Sequence, residues 1–244
     1  MASHTTRLVM AERTEQASIG SANRFGFWVA VLTAAVAGVF AVAAVLTPAR
    51  SGPFCKTSCI AAPYVNVAQF IPGDYLWLIP GILLAPIFVA LMAVIHAYAD
   101  IKTAVFGRIA ISFAVIYAVV ITVNYFVQFT IVMPSLQSGE TQNLSLFTQY
   151  NPHGFFIALE VLAYLAMSAA FLAAAPVFAK GRLELTVRWL FALSFVASVA
   201  AFVGFWLFGN DLVAVEVTVL MINWIVLIVG GALLSIVFSR QLHA

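Results

Sequence analysis

The chain has 244 residues, of which 64% are hydrophobic and 8% charged, with a formal net charge of +2. Soluble domains carry roughly 45–50% apolar and about 25% charged residues, so no water-soluble fold of this size has enough interior for so much apolar surface. The bilayer must be the solvent, the length suits one compact membrane domain, and so small a charge gives no reason to expect a nucleic-acid partner.

Residues 1–22 are polar and mixed in charge, with Arg7, Glu12, Arg13 and Glu15, and read as a short cytoplasmic tail. The membrane domain is expected over residues 23–240. Its first apolar run, 25–47, exceeds a signal-peptide core of about 7–15 residues and lacks a convincing cleavage site, so it reads as a retained span. The loop Pro48 to Asp74 is rich in Pro, Gly and Ser and holds Cys55 and Cys59, the only two cysteines. Three residues separate them, which fits neither a redox CxxC motif nor haem attachment. If the loop faces an oxidising compartment, a Cys55–Cys59 disulfide is the plain reading; free thiols are the alternative. Four His and two Cys leave little material for a metal centre, so no metal site is assigned.

The second span is expected over 75–99, bent at Pro80 and Pro86, where a helix loses a backbone donor. The third, 109–133, stops at Pro134 and carries Tyr117, Asn124 and Gln128, spaced by seven and four and hence on one helical face. After a polar loop, Asn151 suits a helix N-cap and Pro152 the first helical position. The fourth span, 155–179, carries Glu160 inside its apolar run, with Tyr164 and Ser168 following on the same side. An ionisable residue there is a functional-site hypothesis by default. The charged turn Lys180–Glu184 leads to a fifth span, 185–208. The sixth, 212–238, carries Glu216, Asn223 and then Gly230-Gly231, which lets a neighbouring helix approach closely.

Basic residues set the expected orientation. With the N-terminus inside, nine Lys and Arg are cytoplasmic and only Arg50 and Lys56 lie outside, a strong positive-inside bias. Six spans then return the C-terminus to the cytoplasm. At about 1.5 Å per residue, Gln128 and Glu160 lie roughly 9 Å below their outer helix ends and Glu216 roughly 6 Å. Asn124, Tyr164 and Asn223 come out deeper, at about 15–17 Å. Three helices thus place polar faces in the same outer half, and in hydrocarbon each group needs a partner. His153, seven residues before Glu160, is expected at the mouth above it.

Two readings of this convergence stay open. The residues are glue that fixes helix packing, or they form a site for a small molecule or proton. Interhelical polar bonds contribute only about 0.6 kcal/mol on average, and two acids with three amides exceed what packing requires. The functional expectations are a protein that binds, moves or senses a small molecule or proton; a membrane enzyme acting on a lipid-like substrate with Glu160 as acid or base; or a helper subunit. No cofactor is identified.

The run Asn-Pro-His-Gly-Phe-Phe-Ile-Ala-Leu-Glu-Val-Leu-Ala-Tyr, residues 151–164, resembles a segment of uncharacterised small multi-span prokaryotic integral membrane proteins. The resemblance covers one helix and implies a prokaryotic membrane family without an assigned activity. The sequence as a whole predicts an all-α polytopic membrane protein of six transmembrane helices.

Overall fold

The structure, a computed structural model, describes residues 2–64, 66–209 and 211–242, with backbone alone for 2–21. The described residues are all-helical. Their helices are α1 (Ala2–Leu46), α2 (Leu78–Tyr98), α3 (Ala104–Val127), α4 (Met133–Gln137), α5 (Phe155–Ala174), α6 (Arg182–Phe208) and α7 (Leu212–Leu242). A π turn, Gln128–Val132, joins α3 to α4 in one continuous rod. Six helical segments are long and apolar enough to cross a bilayer, which makes this a multi-pass membrane protein. Helices are the natural outcome, since lipid offers no partner for a bare backbone N–H or C=O.

Helix α5 is the hub. Buried residues make up 61% of its apolar window against 17% for α6, and it packs between α3 on one side and α6 and α7 on the other. Helix α1 lies against α2 and α7, and α2 also lies against α3. The α1–α7 contact depends on a small residue, as Gly230-Gly231 led us to expect. A Cβ on Gly231 would stand 2.8 Å from the carbonyl oxygen of Ala30 and 3.0 Å from the Ala34 Cβ. Any larger side chain would force the two backbones apart.

Several boundaries differ from the expected ones, each for a local reason. Pro80 lies in the first turn of α2, where an N–H has no intrahelical acceptor, so of the two prolines only Pro86 is interior. Pro134 does not end the third span. It sits in the first turn of α4, directly after the π turn, whose wider spacing skips a hydrogen bond that proline could not make. Helix α5 starts at Phe155 with Gly154 as its cap. Asn151 instead closes a turn, its Oδ1 accepting from the His153 N–H at 3.0 Å and its amide donating to Ser145 O at 2.7 Å. Cys55 and Cys59 are disulfide-bonded, with Cα atoms 5.8 Å apart.

Candidate functional site

Glu160 projects from the buried face of α5 and is fully enclosed. The Tyr125 hydroxyl of α3 donates to its Oε1, while Oε2 has no partner among the described residues. The carboxyl of Glu216, on α7, faces that of Glu160. Tyr125 reaches this position because α2 carries a glycine opposite it. A Cβ on Gly81 would come within 2.5 Å of the tyrosine ring and 2.8 Å of Phe40. The ring is further held flat against Phe156, with centroids 5.9 Å apart and planes at 22°, and edge-on to Trp77 at 5.9 Å.

A second tier lies around Tyr164. Its ring centroid is 5.7 Å from that of Tyr117, and its hydroxyl faces Tyr125 and Trp224. The hydroxyls of Tyr117 and Tyr164, Asn223 Oδ1 and Trp224 Nε1 are all buried without a partner among the described residues. These groups face one another across α3, α5 and α7, so the interior beside the two acids is polar throughout.

The other expected site residues fall differently. Asn124 and Gln128 are buried as their spacing implied, yet neither bonds Glu160. Asn124 donates to Phe156 O at 3.0 Å. Gln128 donates to Phe147 O at 2.6 Å and accepts from Gln149 N–H at 3.3 Å, pinning the loop before α5 to the end of α3. Both amides bond backbone carbonyls, Asn124 as a second donor to one at the start of α5 and Gln128 to one in the preceding loop, and not the acid. Asn223 donates to Val219 O in its own helix at 2.8 Å. His153 is exposed and precedes the helix, so a count of seven helical residues to Glu160 does not apply. Ser168 is buried and bonds Leu165 O at 3.0 Å.

Above Glu216 opens a cavity of about 400 Å³. Its walls are the end of α1 (Ala44, Val45), the loop residues Arg50 and Phe54, Trp77, the start of α5 (Phe156, Ile157) and one face of α7 (Glu216, Leu220, Trp224). Asp74 organises the rim. Its Oδ2 accepts from Arg50 Nε at 3.1 Å and from the Tyr150 hydroxyl at 3.2 Å, and its backbone oxygen accepts from Gln149 Nε2 at 3.1 Å. The Arg50 guanidinium also lies 3.8 Å over the Phe70 ring. Burial, reinforced by Tyr75 and Asp74, pushes the Tyr150 phenol above its ordinary range, so it stays a donor.

Sequence reasoning missed Tyr125, Arg50, Asp74 and Trp224. Tyr125 adjoins Asn124 at the depth of Glu160, and a mid-membrane hydroxyl needs a partner; that was the available signal. Arg50 and Asp74 stand near opposite ends of one loop with opposite charge, a weaker cue that they close it. Trp224 follows Asn223 as Tyr125 follows Asn124, and both rings pack on Phe40, at 5.0 and 6.4 Å. Comparison with family models, curated proteins and solved structures gives no match for this chain.

Proposed function

We propose that the protein is a multi-pass protein of the cell membrane, with both termini cytoplasmic, that binds a small lipid-soluble molecule in the outer half of the bilayer. One observation carries this reading. The cavity joins a polar rim and an acid to flanks that face lipid: Val45, Val217 and Met221 line it and are 72%, 37% and 42% exposed. Exposed apolar side chains at that depth are lipid-facing, so a molecule dissolved in the membrane has a sideways path to the polar groups. The volume is in the range of ligand pockets. The orientation rests on the division of basic residues between the two sides.

A second reading, acid–base chemistry on a lipid-like substrate, has its own support. Glu160 is linked to the cavity through the Glu216 carboxyl that faces it and lines the wall, which is how a buried proton donor would reach a substrate. The packing-only reading fits less well, because a cluster made for glue would use its polar atoms in pairs.

The test is to fill the cavity. Leu220→Trp adds volume at a buried wall position and leaves Arg50, Asp74 and Glu216 unsubstituted. Protein prepared in native-membrane discs is extracted and its bound small molecules are measured by mass spectrometry. Wild type should carry a molecule near one per chain that the variant lacks. Identical extracts from two equally folded proteins would rule the reading out.

A further inference from the structure

The charges on the cavity wall narrow the class of molecule; this step rests on the reading of the cavity as a site for a lipid-soluble ligand. The lining residues include one cation, Arg50, and two acids, Asp74 and Glu216. The guanidinium is held on two sides, its Nε donating to Asp74 Oδ2 at 3.1 Å and its carbon lying 3.8 Å over the Phe70 ring. Its two Nη groups have no acceptor among the described residues. Asp74 is fixed as firmly, since Oδ2 accepts from both Arg50 and the Tyr150 hydroxyl. Its other oxygen, Oδ1, has no donor among the described residues. A fixed pair of donors and a fixed acceptor thus stand side by side at the rim.

Their level in the membrane is that of lipid heads. Arg50 follows the first span, which ends at Leu46, and Asp74 is the second residue of the next, Gly73–Tyr98. Both therefore lie at the polar border of the bilayer, outside the hydrocarbon. Charge then separates the candidate heads. A head with negative charge alone brings a third acid to a wall that has one cation. A head with positive charge alone leaves the Nη groups without an acceptor and stands beside a guanidinium. A head with both signs answers both residues, because the flat guanidinium edge matches two phosphate oxygens and a carboxylate oxygen takes an ammonium. The count holds in either proton state of Glu216, since Arg50 and Asp74 alone present both signs. The positive part must also carry N–H groups for Oδ1, which a primary ammonium has and a quaternary one lacks.

We propose that the cavity seats the head of an ethanolamine phospholipid, with its phosphate on the Arg50 Nη groups and its ammonium on Asp74 Oδ1. The acyl chains leave into the bilayer past Val45, Val217 and Met221, the lining residues that face lipid.

The experiment is native mass spectrometry of the full chain in detergent, where bulk lipid does not mask a bound one. Dioleoyl forms of phosphatidylethanolamine, phosphatidylcholine, phosphatidylglycerol and diacylglycerol are offered together at equal concentration. Wild type should retain phosphatidylethanolamine about three- to tenfold over each of the others, and Leu220→Trp should lose that preference. Arg50→Gln should lower its retention to that of diacylglycerol, and Asp74→Asn to that of phosphatidylcholine. Residues that only clip the loop would change the melting temperature without reordering the lipids. Should either variant fail to fold, the wild-type ranking decides, because it needs no substitution. Equal retention of the ethanolamine and choline lipids would overturn the ammonium contact, and equal retention of diacylglycerol would overturn the phosphate contact. A ranking unchanged in Leu220→Trp would put the lipid outside the cavity and overturn the site. Free phosphoethanolamine at the same concentration should displace nothing; displacement would overturn the bilayer as the source. If no phospholipid is retained, this head is wrong, and the extraction experiment still decides separately whether the cavity holds another molecule. In those extracts the proposed ligand appears as phosphatidylethanolamine enriched in wild type over Leu220→Trp.

Discussion

Of the three glutamates buried where helices meet, Glu184 and Glu160 are held in opposite ways. Glu184 stands in the first turn of α6. Its Oε1 accepts from the Tyr98 hydroxyl at 2.7 Å, and its Oε2 from the backbone N–H groups of Ala179 and Lys180 at 3.0 and 2.8 Å. This is an acid reaching back over its own helix start, where the exposed N–H groups favour negative charge. Glu160 stands in the second turn of α5, with the Tyr125 hydroxyl on one oxygen and the carboxyl of Glu216 facing it. The first acid has spent its bonding capacity on shape. The second faces another acid beside a cavity. A buried acid alone does not mark a site; what surrounds it distinguishes these two.

The largest effect that tests this contrast belongs to Glu184→Leu. Three donors would lose their acceptor at once, and each unmet buried group costs about 1–3 kcal/mol. Expression and thermal melting in detergent should both fall sharply. A melting temperature within a degree of wild type would remove Glu184 from the role of fastener.

Glu160 should respond less, and differently to two substitutions. Glu160→Leu strands the Tyr125 hydroxyl and should lose about 1–3 kcal/mol. Glu160→Gln keeps an acceptor for Tyr125 and should stay within about 0.5 kcal/mol of wild type in the same melts, while altering ligand binding or turnover. If Gln at this position changes stability as much as Leu does, Glu160 is a packing residue and the contrast collapses. Between these falls Gly81→Ala, which pushes a methyl into the Tyr125 ring. Overpacking of this kind costs about 1–3 kcal/mol and should disturb the Glu160 contact from the far side of the ring.

The smallest effect concerns the rim and needs alkaline pH to see. Because the Tyr150 phenol is held above its ordinary range when folded, its hydroxyl contributes fully below about pH 10, where both states are protonated. Above that, the unfolded chain ionises first and the contribution is lost. Tyr150→Phe should therefore be about 1 kcal/mol less stable than wild type near pH 8, with the gap closing by about pH 11. A gap that widens with pH would show that the phenol ionises more readily when folded.

The class of fold was fully legible in the sequence, because apolar runs long enough to span a bilayer leave helices as the outcome. The buried face of α3 was also legible, since Tyr117, Asn124 and Gln128 recur at seven and four. Partner choice was not. Spacing places Asn124 and Gln128 at the right depth, but a helix face does not say whether an amide turns to an acid or to a stray backbone carbonyl. Tyr125 shows the complementary gap, since its role depends on Gly81, a residue in another helix that permits the ring to come close. For His153 the reason is simpler: counting along a helix does not reach two residues before the helix begins.

The π turn at Gln128–Val132 has a consequence for how the third span keeps time with the core. From Ala110 to Gln128 its buried residues follow at steps of four and three in turn, with Tyr125 added beside Asn124, as a helical face demands, and beyond it Val132 and Leu136 follow at steps of four. In an unbroken α-helix steps of four drift around the axis by about 40° each. The wider turn absorbs that drift, so the seam stays in phase with α5 while Gln128 is handed from the interior cluster to the outer loop. Removing one residue from the turn would reset that phase by about 100° and carry Leu136 from the core toward lipid, moving the loop that holds Tyr150 against Asp74.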